Sequence, residues 1–544
     1  MKLVSPLQMQ KLEKEADQNG LKVQRMMENA GRGLAGEVLL IAHSDEIRST
    51  KILGLVGAGN NGSDTLIALR VLAEHGFSVS AYLVNRKIQE DTFITQFVNS
   101  GGKITNLEND EKLSIIRELL ISCDYLLDGI LGTGFKPPLK TEISDLLQSV
   151  NKQLNEREFR PVIVAVDCPS GVDNDTGEVF GDIIAADYTI CMAAVKKGLI
   201  KLPAYEFAGE IKVVDIGFNK RNSSITEIKD QVAEGHLIRS TLPSRPLDAH
   251  KGTFGTAVIV AGSINFTGAA LLAGKAAYRV GTGLVTLGVP APLHGILAGH
   301  LPDATWLLLP HEMGVISASA TPIIIENINK ASALLIGCGM GLENTTSEFM
   351  ELLLTSNTSS GRASTRIGFV QKTEKVIVHQ SFKIPPLVVD ADGIKLLTRI
   401  NNWYKKLPPN SILTPHPGEM EILTGINKEE IQADRLNIAA RFSQEWGQIV
   451  VLKGAFTVIA SPDGRTTTIP VATSALARAG SGDVLAGMIV GFLAQGMDGY
   501  DAAIAGAWFH AQAGLLAAGR LGGSTSVIAS DLLDEIPYAI ALTN

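Results

Sequence analysis

Three glycines, Gly57, Gly59 and Gly62, stand at the spacing G-x-G-x-x-G directly after the apolar run Ile52 to Val56. A buried strand that turns through such glycines into a helix offers free backbone N–H groups to an anion, which is the dinucleotide-binding arrangement. The arrangement also expects an acidic side chain about 20 residues on, at the end of the next strand, to hold a ribose hydroxyl. Here the next strand, Ser78 to Val84, ends in Asn85-Arg86-Lys87. Either a dinucleotide is held differently, or none serves as a cofactor.

Other polar groups gather at strand ends, the place where open parallel sheets bind ligands. "GNNGSD" (59–64), "DGILGTGFKPP" (128–138), "DCPSGVD" (167–173) and "DTG" (175–177) each follow an apolar strand. Singly, each has a plain structural reading: the asparagines shape a turn, Asp128 caps a helix and Pro-Ser-Gly is ordinary turn chemistry. Together, Asn61, Asp128, Asp167 and Ser170 offer oxygen ligands and a carboxylate in one crevice. That set suits a hard cation and proton transfer.

A second candidate lies at "AGSGDVLAGMIVGFL" (479–493), where Gly-Ser-Gly precedes an apolar helix and Asp483 falls in its first turn. The positive helix end and its free N–H groups form an anion site, and a carboxylate beside it could deprotonate a hydroxyl during phosphoryl transfer. An acidic first-turn residue that merely complements the helix dipole is the competing reading. No G-x-x-x-x-G-K-[ST] motif is present, so this is not a P-loop. His416, in the rigid Pro-His-Pro-Gly of "LTPHPGEME" (413–421), is either aimed or structural. Lys453, at a strand end, either meets a phosphate or lies on the surface.

These groups require a scaffold of alternating strands and helices. After two N-terminal helices, strands are expected at Ile52–Val56, Ser78–Val84, Tyr125–Asp128, Val162–Asp167, Tyr188–Ala193 and Ile211–Ile216. A second series follows at Thr256–Ala261, Leu284–Val289, Leu334–Ile336, Leu387–Asp390 and Ile449–Leu452. Such alternation implies mostly parallel sheets with helices on both faces, an α/β class. The polar stretch 217–231 reads as the linker, which gives domains 1–222 and 223–544. Residues 355–386, polar with a short β-like "KVIVH", read as a surface insertion.

With 544 residues, 45% apolar content and 54 glycines, the chain fits a two-domain α/β enzyme. A net charge of −8, spread without blocks, argues against nucleic acid or an anionic membrane as partner. Cys123, Cys168, Cys191 and Cys338 lie far apart without a C-x-x-C pair, as in reduced cytosolic proteins. The charged N-terminus lacks a signal-peptide core, and Ala502–Gly519, which carries His510 and Gln512, reads as a core helix. A cytoplasmic location is expected.

"MMENAGRGLA", "GAGNNGSD", "DGILGTG" and "DCPSGVDNDTGE", in this order, resemble the NAD(P)H-hydrate epimerase family over nearly all of residues 1–222. The resemblance implies a Rossmann-like fold that binds hydrated NADH or NADPH as substrate and inverts carbon 6 of the damaged nicotinamide ring. It implies potassium on Asn61, Asp128 and Ser170, and substrate contacts from Asn60, Asn61, Gly62, Ser63 and Asp64. Further contacts would come from Gly132, Thr133, Gly134, Phe135, Lys136, Pro137 and Pro138, with Asp167 as the acid/base residue. The family usually has "GGDG" where this chain has Gly62-Ser63-Asp64-Thr65.

"HKGTFGTAVIVAGSINFTGAALLAGKAAYRVGTGLVTL", "LLIGCGMG", "VVDADGIKLL", "LTPHPGEME", "VLKGAFTVIA" and the GSGD segment resemble the ADP- or ATP-dependent NAD(P)H-hydrate dehydratases, a ribokinase-like branch, over roughly 230–540. That implies nucleotide contacts from Lys453, Gly454, Ala455, Phe456, Thr457 and Gly482. Ala269, Gly339, His416 and the catalytic Asp483 would contact the hydrate. ADP or ATP with Mg2+ would be the co-substrate, and a homo-oligomer is expected. Arg478 and Ala479 replace the usual Thr-Gly, and "DADGIK" stands for "DADAL". A small-molecule kinase is the rival enzyme reading, and a binding scaffold without epimerase chemistry is the rival for the first half.

Overall fold

The computed structural model describes all residues except 43–48, 90, 219–223, 357–362, 365–374, 377–381 and 544. The chain divides into two compact units, Met1–Val232 and Ala233–Asn544. The boundary expected at residue 222 falls on 219–223, outside the described residues. So does most of the 355–386 insertion, whose described part includes an antiparallel pairing of Ala363–Ser364 with Lys375–Val376.

In the first unit, helices α1 (Pro6–Gln18), α2 (Val23–Ala42) and α3 (Asn60–Glu74) accompany seven parallel strands. These are β1 (Lys51–Val56), β2 (Ser78–Leu83), β3 (Lys103–Asn106), β4 (Tyr125–Gly129), β5 (Val162–Val166), β6 (Tyr188–Met192) and β7 (Glu210–Val214). Their spatial order is β3-β2-β1-β4-β5-β6-β7. The order reverses between β1 and β4, which opens the crevice at the carboxyl ends of β1, β4 and β5. Apolar side chains pack on both faces: Leu34, Val38 and Leu69 on one, Leu120, Leu146 and Val150 on the other. The strand β3 has no counterpart in the sequence reading, because Lys103–Asn106 is short, polar and at the sheet edge.

The second unit carries β8 (Thr256–Val260), β9 (Leu284–Pro290), β10 (Thr305–Leu309), β11 (Ala333–Ile336), β12 (Leu387–Val389), β13 (Ile412–Leu413), β14 (Ile449–Leu452), β15 (Val458–Ala460) and β16 (Thr466–Thr468). Their order is β16-β15-β14-β13-β12-β11-β8-β9-β10, parallel from β14 to β10 and antiparallel at β15 and β16. Helices α4 (Thr267–Arg279), α5 (Pro417–Thr424), α6 (Ser481–Ala494) and α7 (Gly499–Arg520) belong to this unit. A Cβ on Gly487 of α6 would strike the backbone of Ala273 on α4, so small residues let these two helices approach closely. The apolar stretch at 502–519 is core helix α7, and among the described residues no helix is long and apolar enough to cross a membrane.

Crowding fixes the glycine loop of the first unit. A Cβ on Gly57 would fall on the Ile130 carbonyl, and one on Gly62 on the Gly57 carbonyl. Thr65, where the resembling family carries glycine, occupies the space left by the missing Cβ of Gly129, and its hydroxyl donates to the Asn61 carbonyl at 2.8 Å. We therefore expect Gly129→Ala to cost about 1–3 kcal/mol in urea unfolding, as overpacking does. Adding Thr65→Gly should recover part of that loss, and strictly additive costs would refute the crowding.

Candidate active sites

In the first unit a chain of hydrogen bonds links three strand ends. The Asn61 amide donates to the Leu131 carbonyl at 2.8 Å, and the Leu131 N–H donates to the Ser170 hydroxyl at 2.9 Å. That hydroxyl donates to Asp128 Oδ1 at 2.6 Å, while the Ser170 N–H donates to Oδ2 at 2.8 Å. Asn61, Asp128 and Ser170 are thereby brought together, all buried. Burial pushes the Asp128 carboxyl up, against the bonds from Ser170 and Ile130. Asn61 Oδ1 is buried and has no hydrogen-bond partner. An orphaned carbonyl oxygen beside a carboxylate and a hydroxyl fits a hard cation.

Asp167 follows β5 with a left-handed φ of 65°, which turns its side chain back toward β6. It accepts from the Met192 N–H at 2.8 Å and from the ammonium of Lys196. Lys196 is fully buried and also donates to the Met192 carbonyl at 3.1 Å. Burial opposes its charge, yet the Asp167 carboxylate holds its pKa above the ordinary lysine value. Two further carboxyls face this pair. Burial, then the charges of Asp167 and Glu13, pushes Asp64 well up, and burial, then Asp167, raises Glu13. One ammonium thus stands among three carboxyls.

The sequence reading missed Lys196, Glu13 and Arg86. The signal for Lys196 was a lysine closing the apolar run 188–195, a place where lysine is buried only when paired. Arg86 occupies the strand end that a dinucleotide fold gives to an acid. Its guanidinium donates to the carbonyls of Gly57 at 2.9 Å and Gly59 at 3.3 Å, to Ser63 Oγ at 2.9 Å and to Asp91 at 2.8 Å. Ser63 is therefore used as a loop anchor. Of the remaining predicted contacts, Gly132 packs on Asn61, whereas Asn60, Gly134, Lys136, Pro137 and Pro138 are exposed along the rim. Thr133 is partly exposed there, and Phe135 stands edge-on to Phe180 with centroids 6.0 Å apart.

In the second unit, Asp483 lies in the first turn of α6, after Gly480 at a left-handed φ of 89°. Ligand atoms of Asp483, Asp390 and Cys338 all lie within 4.8 Å of one another. Burial, then the Asp390 charge, pushes the Asp483 carboxyl up to about 6. Asp390 accepts from Thr414 Oγ1 at 2.6 Å and from Lys453 Nζ at 2.6 Å. The same ammonium is 3.6 Å from Glu419, which lies 3.2 Å from His416 Nε2. Burial favours a neutral Glu419, but the contacts from His416 and Lys453 draw its pKa down to about 2. His416 Nδ1 accepts from the Gly418 N–H at 3.0 Å and so caps α5.

A Cβ on Gly482 would lie 3.5 Å from Lys453 Nζ, so the GSGD turn faces that ammonium directly. Ala269 and Gly339 also meet, since a Cβ on Gly339 would come within 2.9 Å of the Ala269 Cβ. Gly454 to Thr457 run on from Lys453, with Gly454 and Ala455 exposed, Phe456 buried and Thr457 partly so. Arg435 steadies this turn by donating to the Leu452 carbonyl at 2.8 Å. Arg478, a departure from the resembling family, donates to the carbonyls of Val527 at 3.1 Å and Thr525 at 2.7 Å and ties down the loop before Gly480. His510 of α7, on the stretch expected to be a core helix, is buried, and that burial lowers its pKa to about 4.

Two α/β units, each with buried carboxylates and a lysine paired to one of them at its strand ends, define a two-site enzyme acting on small molecules. Comparison with known proteins makes this specific. The family model described as NAD(P)H-hydrate dehydratase matches residues 257–360 and 367–538, and that of the YjeF-related protein N-terminus matches 23–198. A bifunctional NAD(P)H-hydrate repair enzyme of Moorella thermoacetica is 35% identical over 95% of this chain and 92% of its own length. One of Escherichia coli is 31% identical over 96% and 90%. A Bacillus subtilis ADP/ATP-dependent NAD(P)H-hydrate dehydratase, co-crystallised with ATP/Mg2+, is 28% identical, with a TM-score of 0.46 over 58% of this chain and 99% of its own. The chain belongs to the bifunctional NAD(P)H-hydrate repair enzyme family.

Removing Lys196 would leave the carboxyls of Asp167, Asp64 and Glu13 without their cation. Lys196→Met should therefore cost about 3–5 kcal/mol in urea unfolding near neutral pH. The loss should shrink as the pH falls and the carboxyls take up protons. A loss that does not vary with pH would refute the electrostatic account.

Proposed function

We propose that the first unit interconverts the R and S forms of hydrated NADH and NADPH, and that the second dehydrates the S form at the expense of ADP or ATP. Family membership supports the pairing, and the observation that carries the second half is the Asp483 carboxyl at the N-terminus of α6, poised near pH 6. Asp483 takes the proton of the C6 hydroxyl as that oxygen attacks the terminal phosphoryl group of the nucleotide, offered as its magnesium complex. The bond to the nucleotide's bridging oxygen breaks, and ADP leaves from ATP or AMP from ADP. N–H groups of the GSGD turn and Lys453 meet the charge on the transferring group. Phosphate then leaves C6 as C5 loses a proton, which restores the C5=C6 double bond of the reduced nicotinamide. Ala269, Gly339 and His416 lie along the hydrate's side, and Gly454 to Thr457 along the nucleotide's.

In the first unit Asp167 takes the C6 hydroxyl proton. The O–H electrons form the carbonyl as the C6–N1 bond opens onto N1, which accepts a proton. Reclosure on the other carbonyl face returns both protons and inverts C6. Asn61 Oδ1, Asp128 and Ser170 would hold potassium, which supplies a fixed positive charge beside the substrate. Asn60 to Asp64 and Gly132 to Pro138 line the substrate path. The accommodation of Ser63 by Arg86 and of Thr65 by Gly129 supports working chemistry over a bare scaffold.

Asp483→Asn should lower kcat for the S hydrate by at least about 100-fold. The wild-type rate should fall as the pH drops through about 6, because the base works only when ionised and its pKa lies above the ordinary carboxylate value. Recovery of reduced-nicotinamide absorbance reads both, and unchanged turnover in the Asn variant rules Asp483 out as base. Offered mixed R and S hydrates with excess nucleotide, Asp167→Asn should consume the S fraction and then slow to the spontaneous epimerisation rate. Complete conversion at the wild-type rate would remove Asp167 from the mechanism.

A further inference from the structure

A cavity of about 570 Å³ opens in the first unit beside the glycine loop, at the carboxyl end of β2. Ala58, Asn85, Lys87, Thr92 and Phe93 are among the residues that line it, together with the Arg86–Asp91 pair. In a sheet ordered β3-β2-β1-β4, a dinucleotide lying across the crevice places its adenosine ribose at the end of β2. Its nicotinamide then falls on the side of β4 and β5, where Asp128 and Asp167 stand. The cavity is of the size that takes a drug-sized ligand, for which about 300–1,000 Å³ is usual.

The electrostatics of this cavity are unequal. An acidic residue there would favour a free ribose 2′-hydroxyl and repel a 2′-phosphate. This chain has an arginine and a lysine in its place, and the two are used differently. The Arg86 guanidinium is neutralised by Asp91 at 2.7 Å, and its other donors are spent on Gly57, Gly59 and Ser63. Asp91 also caps the helix Thr92–Asn99 by accepting from the N–H groups of Phe93 and Ile94, so two of the free N–H groups at that helix end are already taken. Lys87 is exposed, lines the cavity and makes no hydrogen bond or ion pair among the described residues. It therefore supplies the net positive charge of the cavity.

We propose that this cavity receives the adenosine ribose of the hydrated dinucleotide and that Lys87 pairs with its 2′-phosphate, so that the first unit selects hydrated NADPH over hydrated NADH. The assignment rests on the epimerase reading of this unit and adds to it a discrimination between its two substrates. A charge-assisted contact to a phosphate favours the phosphorylated hydrate by about tenfold in kcat/KM, and added salt weakens that preference.

The test uses the full chain with excess nucleotide and follows the slow, epimerisation-limited phase for R-hydrated NADPH and R-hydrated NADH separately. The wild-type ratio of kcat/KM should be about ten, Lys87→Ala should bring it to about one, and Lys87→Glu should invert it. A wild-type ratio near one, or an alanine variant that keeps the wild-type ratio, overturns the assignment. If the wild-type chain epimerises neither hydrate, it is the epimerase reading that fails. Calorimetric binding of 2′,5′-ADP, compared between wild type and Lys87→Ala, then decides the cavity on its own: weaker binding in the variant supports it, and equal binding overturns it.

Discussion

Taking an ammonium out of water is costly, and this chain does it completely at Lys196 in one unit and in large part at Lys453 in the other, whose side chain is 16% exposed. Each is surrounded by more carboxyls than it can neutralise: Asp167, Asp64 and Glu13 around the first, Asp390, Glu419 and Asp483 around the second. The imbalance sorts the acids by environment. Burial, with neighbouring carboxylates adding to it, raises Asp64, Glu13 and Asp483, whereas the contacts from His416 and Lys453 draw Glu419 down. A carboxyl held at about 6, as Asp483 is, arises in this way from a group that titrates at about 4 in water.

Backbone geometry sets the position of these groups. Asp167 reaches Lys196 because its own backbone is left-handed at the end of β5, and Asp483 faces Asp390 because Gly480 turns the chain into α6. The glycines of the first loop have no space for a side chain against Ile130 and Gly57. Where this chain adds side chains, at Ser63 and Thr65, each is absorbed by a specific partner, Arg86 or the space beside Gly129. In the second unit Arg478 is absorbed likewise, by the carbonyls of Thr525 and Val527. A loop motif is thus preserved as a shape even where its letters change.

From the order of apolar runs alone, the α/β class, six of the seven strands in the first unit's main sheet and the GSGD helix were legible, because a strand buried on both faces must be continuously apolar. The edge strand Lys103–Asn106 and the short strands Ile412–Leu413 and Val458–Ala460 carried too little apolar length to register. Asn61, Asp128, Asp167, Ser170 and Asp483 were visible as polar residues at strand and helix ends, where a parallel sheet exposes its ligand-binding edge.

What the sequence could not contain was pairing across distance. Lys196 lies 29 residues from Asp167, and Lys453 lies 63 from Asp390, so nothing local names the partner of either lysine. The sequence determined which residues can donate, accept or titrate, and which runs must be hidden from water. Only the tertiary structure decided which carboxyl receives the ammonium, that Arg86 is spent inside a loop and that Lys87 is left facing a cavity. Charge interactions and desolvation depend on distance and burial in space, and neither is a property of neighbouring residues in the chain.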